Sequence, residues 1–111
     1  MQTDYEIIKA DGTTQQGSVD WPKAPGLDKL HELVDPVLGD GAWFEHVYVR
    51  WEDSDMDMFV DEDGHAKRLP RNEKATEIYR NGWLLRHPGT DPEQLSYVVG
   101  DVVLIKRRVW F

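Results

Sequence analysis

At 111 residues without a cysteine, the chain has an ordinary single-domain length and excludes disulfides, thiolate zinc sites and thiol nucleophiles. A 40% hydrophobic fraction with five tryptophans excludes global disorder and supplies one packed core. The net charge of −8 is uneven, with 16 acids against 4 bases in residues 1–63 and 5 against 9 in residues 64–111, which excludes a domain built to grip a nucleic-acid backbone and leaves an acidic part able to meet a basic partner.

The N-terminal stretch from Met1 to Ala10 lacks the basic and apolar regions of a signal peptide, and no run approaches the roughly 18 apolar residues of a membrane span. A cytoplasmic setting is therefore expected. Tyr5 to Ala10 has strand composition, and Asp11-Gly12 is a hairpin-turn dipeptide leading into Thr13 to Val19. Leu27, Leu30, Leu33 and Val34 recur on one helical face, predicting a first helix from Leu27 to Asp35 with His31 near its exposed side. Pro36 is expected to stop that helix, and residues 39–41 to form its exit loop.

Trp43 to Trp51 alternates Phe44, His46, Tyr48 and Arg50 with Glu45, Val47, Val49 and Trp51, as a strand does. A strand over Asp55 to Val60 and a third over His65 to Leu69 predict a meander, with turns at Glu52 to Ser54 and Asp61 to Gly64. Asn72 is an N-cap for a helix over Glu73 to Arg80, which Gly82 is expected to end, leaving Trp83 to Leu85 as strand or buried loop. His87 to Pro92 reads as an exposed turn. The apolar run within Val98 to Val109 predicts a central strand covered on both faces, with Gly100 marking a bulge or a close approach. Trp43, Trp51 and Trp83 are expected in the core, and Trp21 and Trp110 nearer the chain edges. The fold class expected over 1–111 is a single compact α+β domain, mainly an antiparallel sheet of about five strands with two helices packed on one face.

Leu69-Pro70-x-Asn72-x-x-Ala75-Thr76-x-x-Tyr79, followed by Val99-Gly100-Asp101-Val102-Val103, carries a resemblance. The pattern resembles a family of small uncharacterised proteins of bacteriophages, plasmids and other mobile elements, in which an acidic turn precedes the Leu-Pro-x-Asn motif. The resemblance implies a phage or mobile-element origin and the cytoplasm of a bacterial host, and no particular activity.

Glu52, Asp53, Asp55, Asp57, Asp61, Glu62 and Asp63 place seven acids and no base within twelve residues. On a strand, Asp53, Asp55 and Asp57 would share one face about 7 Å apart, near the spacing of consecutive phosphates. These seven residues are the candidate partner-binding set, for a host or phage protein with a basic nucleic-acid-binding surface. The expected function is a non-enzymatic interaction protein, an inhibitor of a host nucleic-acid-binding defence complex in the manner of an anti-CRISPR or DNA mimic, with no direct nucleic-acid or membrane binding. The same residues also read as an exposed hairpin whose charge keeps a sheet edge soluble. Calcium is disfavoured, because Met58 stands where an EF-hand loop needs glycine and Gly64 where it needs a carboxylate. No metal and no cofactor are expected.

The alternative is a small-ligand or nucleotide module built on Arg71, Asn72, Thr76 and Tyr79, unless these only cap and pack the helix. A structural or assembly component, associating through exposed aromatics, is a third possibility. Histidines at 31, 46, 65 and 87 are scattered and serines number three, so no triad, zinc spacing or phosphate-binding glycine loop is present and an enzyme is not expected. The terminal Lys106-Arg107-Arg108 run is expected to pair with the acidic half.

Overall fold

The first hairpin forms where Asp11-Gly12 allows it. In the computed structural model, which describes residues 1–39 and 41–111, β1 (Gln2–Ile8) pairs antiparallel with β2 (Thr14–Asp20). Asp11 Oδ1 accepts from the amide of Thr13 at 2.9 Å and from its hydroxyl at 2.6 Å, and these bonds hold the Asp11 carboxyl below its usual range. Further elements are α1 (Leu27–Leu38), β3 (Phe44–Trp51), β4 (Ser54–Asp61), α2 (Glu73–Arg86), a 3-10 turn (Pro92–Gln94) and β5 (Val102–Ile105). All five strands join one antiparallel sheet in the order β2-β1-β5-β4-β3, giving a single α+β domain.

β5 is central and all four of its residues are buried, as its apolar run predicts, although the strand is shorter than expected. Strand alternation divides the core. Met56, Met58, Val102 and Leu104 meet Ala75 and Ile78 of α2, while Phe59, Val103 and Ile105 meet Leu30 and Val34 of α1. The two helices therefore cover opposite faces of the sheet, not one face. A central strand apolar on both sides needs a cover on each, and each helix offers one apolar stripe.

Three expected boundaries move. α1 runs through Pro36 to Leu38, because a proline this close to the helix end removes one hydrogen bond while the Gly39 amide still closes the last turn on the Asp35 carbonyl. Asp40, inside the expected exit loop, lies outside the described residues. α2 continues past Gly82 to Arg86, so Trp83 to Leu85 are helical. Gly82 serves a close approach instead of a stop: a Cβ there would lie 3.0 Å from the Arg50 amide nitrogen. His65 to Leu69 is not a strand, and β4 has β5 as its second neighbour. Local bonds, from Lys67 N to Asp63 O, Arg68 N to His65 O and Leu69 N to Gly64 O, satisfy that backbone without a sheet partner.

The tryptophans are also redistributed. Trp21 is 4% exposed and packs under α1, whereas Trp43 is 66% exposed. Trp51 is partly buried, and Trp83 and Trp110 are each 37% exposed. Gly100 has φ +77°, and a Cβ on it would meet Leu69 Cδ1 at 2.8 Å, so the close approach expected at this glycine is present. Among the described residues, no helix is long and apolar enough to cross a membrane.

Candidate functional site

The acidic hairpin does not present its carboxylates as one ladder. Asp53 lies in the two-residue turn with Glu52, where both residues have positive φ, 61° and 51°, and shape the tight link between β3 and β4. Asp55 is exposed beside Arg50 at 3.0 Å and accepts from the Tyr48 hydroxyl at 2.5 Å. These two bonds hold the Asp55 carboxyl below its usual range, and the same Asp55 carboxylate pushes the Tyr48 phenol up.

Asp57 is 0% exposed. Its Oδ1 lies 2.7 Å from Arg108 Nε and 2.7 Å from His46 Nε2, and its Oδ2 accepts from the amides of Val109 at 2.7 Å and Trp110 at 2.8 Å. The residue expected to be the third rung of a surface ladder is thus an internal anchor for the C-terminal segment. His46 is held by the same carboxylate and stacks on Trp110 with centroids 5.0 Å apart.

Asp61 is buried as well, taking Lys67 Nζ at 2.8 Å and the Asp63 amide at 2.8 Å. Glu62 and Asp63 are exposed beyond the far end of β4. Seven strand steps, about 23 Å, separate them from Glu52 and Asp53. The seven expected partner-binding residues consequently fall into an exposed turn (Glu52 and Asp53), an exposed strand residue paired with Arg50 (Asp55), two internal anchors (Asp57 and Asp61) and an exposed far end (Glu62 and Asp63).

The motif residues are similarly divided. Asn72 is 1% exposed. It caps α2 by accepting from the Ala75 amide at 3.1 Å, and its Nδ2 donates to the carbonyls of Ile8 and Gly100 at 2.9 Å each. The Thr76 hydroxyl accepts from the Val98 amide at 2.9 Å. Arg71 lies 3.0 Å from Glu73, with its guanidinium 5.0 Å from the centroid of the Tyr97 ring. Tyr79 faces a different concavity from Arg71 and Thr76. The four residues do not converge on one pocket, because Asn72 and Thr76 are occupied in joining α2 to the segment before β5.

Tyr79 instead lines a groove of about 420 Å³, closed by the outer edge of β3 at residues 45–48, by Val60 to Glu62 and His65, and by residues 96–99. Its charged lining consists of Glu45, Asp61 and Glu62 with His46 and His65, and includes no lysine or arginine. The antiparallel register pairs Glu45 with Val60, which brings Glu45 and Glu62 together as diagonal neighbours. Tyr97 stacks edge-on against His65 at 5.0 Å, and His65 Nε2 lies 3.0 Å from the Tyr97 carbonyl oxygen.

Sequence reasoning missed Glu45, His65 and Tyr97 as a set, because they come from three separated segments. The available signal was the pairing of the two strands, which would have placed Glu45 beside Glu62. Among the described residues no three His, Asp or Glu side chains gather to hold a metal ion, and every buried side-chain nitrogen and oxygen has a hydrogen-bond partner. Comparison with known protein families, curated proteins and solved structures finds no match to this chain.

Four of the nine bases in residues 64–111 bond to buried carboxylates. Glu6 takes Lys74 at 2.6 Å and Lys106 at 3.1 Å, Asp57 takes Arg108, and Asp61 takes Lys67. The expected pairing of the terminal basic run with the acidic half is present at Lys106 and Arg108. Arg107 instead donates to the Thr3 hydroxyl and to the carbonyls of Pro22, Lys23 and Arg108.

Proposed function

We propose that this chain is a non-enzymatic interaction protein that binds a basic protein partner through its acidic surface. The observation that carries this reading is the direction of the ion pairs. Lys67, Lys74, Lys106 and Arg108 turn inward onto three buried carboxylates, while Glu45, Glu52, Asp53, Glu62 and Asp63 are left exposed. Exposed carboxylates with no lysine or arginine bonded to them attract a cationic partner and raise its association rate, an effect that weakens with salt.

In the finer form of the proposal, the chain originates in a phage or mobile element and the partner is a host or phage protein whose basic surface binds nucleic acid. The chain would then compete for that surface. The far-end acids and the hairpin-turn acids are separately testable. Replacing Glu45, Glu62 and Asp63 by their amides, or Glu52 and Asp53 by theirs, should weaken capture of a basic partner, and moderate salt should release it from the native chain. Capture that ignores both replacements and salt would sink the proposal. Competition between the native chain and DNA or RNA for the captured partner tests its inhibitory form.

A further inference from the structure

We infer that the open half of the β3 edge, together with the acidic groove beside it, is a docking site for an extended basic segment of the partner, which adds to the sheet as a sixth strand. This rests on the reading of the chain as a binder of basic proteins and specifies where and how the partner is held.

The register of the β3–β4 hairpin determines which backbone groups are available. A two-residue turn makes Trp51 and Ser54 a hydrogen-bonded pair, so Glu45, Val47 and Val49 also direct their amides and carbonyls toward β4. The intervening residues, among them His46, Tyr48 and Arg50, direct theirs outward from the sheet, where β3 is the last strand. α2 closes this edge at one end only. Asn81 Nδ2 donates to the Arg50 carbonyl at 2.7 Å, and Gly82 lies against the Arg50 amide. At His46 and Tyr48 the outward amides and carbonyls have no partner among the described residues.

The groove borders these two residues, and its lining supplies the specificity. A strand laid along the edge would lie about 4.8 Å from β3 and would project alternate side chains over Glu45, Glu62, Tyr79 and Tyr97. Glu45 and Glu62, exposed and with no lysine or arginine bonded to them among the described residues, suit lysine or arginine side chains by charge, and the Tyr79 ring adds cation–π attraction, whereas Asp61 is already held by Lys67 and the Tyr97 ring by Arg71. An acidic segment would bring its charges against Glu45 and Glu62. The occupant is therefore a basic extended peptide within a partner protein.

The test uses the full chain and three synthetic peptides of ten residues: one alternating lysine with threonine, and two of the same sequence N-methylated at either the odd or the even positions. N-methylation removes the ladder donors from one edge of the peptide and leaves its charge intact. The unmethylated peptide should slow hydrogen exchange at the His46 and Tyr48 amides at least tenfold. One methylated isomer should bind at least tenfold more weakly than the other, and the Glu45→Gln/Glu62→Gln variant should weaken binding at least fivefold. Equal binding of the two isomers, or protection elsewhere on the surface, overturns strand addition and leaves the acidic-surface reading in place. A lysine peptide that does not bind at all also overturns strand addition, and partner capture then tests the broader reading by itself.

Discussion

Two aspartates two positions apart on β4 have opposite roles, and their surroundings make the difference measurable. Asp57→Asn keeps an oxygen for the Val109 and Trp110 amides but removes the charge that holds Arg108 and His46, so it should cost about 3 kcal/mol in urea unfolding. Asp55→Asn, at an exposed pair with Arg50, should leave the urea midpoint nearly unchanged. An interaction assay that mutated Asp53, Asp55 and Asp57 together would therefore report on folding as much as on binding. Glu6 sets a pH dependence. Burial pushes its carboxyl up, but bonds from Lys74, Gln16 and Lys106 outweigh burial and lower it from 4.5 to about 2. The stabilisation is present above pH 4.5 and is lost as the pH falls toward 2, where the carboxyl takes a proton. Glu6→Gln should flatten that part of the acid-denaturation curve and cost on the order of 2 kcal/mol at neutral pH, after allowance for solvent around Lys74. Asn72 was legible as a cap from its place before Glu73, whereas its bonds to the Ile8 and Gly100 carbonyls join segments far apart in the chain and had no local signal.

Among the elements, both hairpins and the start of each α-helix follow from short-range chemistry, and the errors lie at the ends of the two helices, in the third strand of the meander and in the length of β5. Pro36 and Gly82 are helix breakers by propensity, yet both stand inside helices because packing outweighs a local penalty of about 1 to 3 kcal/mol. Pro36 is exposed, so replacing it loses little packing. Pro36→Ala restores one helix donor and should raise stability by about 1 kcal/mol, read as an upward shift of the thermal midpoint. The third strand of the expected meander failed for a related reason. The amides of Asp63, Gly64, Lys67, Arg68 and Leu69 close local hydrogen bonds onto residues 61–65, so β4 takes as its second partner the most apolar run in the chain, β5. Strand pairing between distant segments is decided by which faces need burial, and composition within one segment does not state that.

For the whole molecule, charge is arranged by sign. Lys67, Lys74, Lys106 and Arg108 bond to the buried Glu6, Asp57 and Asp61, and the net charge of −8 leaves an excess of acids that repel one another at the surface. Raising sodium chloride from about 20 to 300 mM should screen that repulsion more than the buried pairs and increase the thermal midpoint by a few degrees. A midpoint that falls with salt would mean that the ion pairs dominate. The sequence by itself determined the α+β class, the hairpin turns, the central apolar strand and the acidic balance, since each depends on neighbouring residues or on a sum over the chain. Only the tertiary structure decided that the helices take opposite faces, that Asp57 and Asp61 are internal, and that Glu45, Glu62, His65, Tyr79 and Tyr97 line one groove. Those outcomes depend on the order in which strands join the sheet, and that order is selected by long-range burial of both faces of β5.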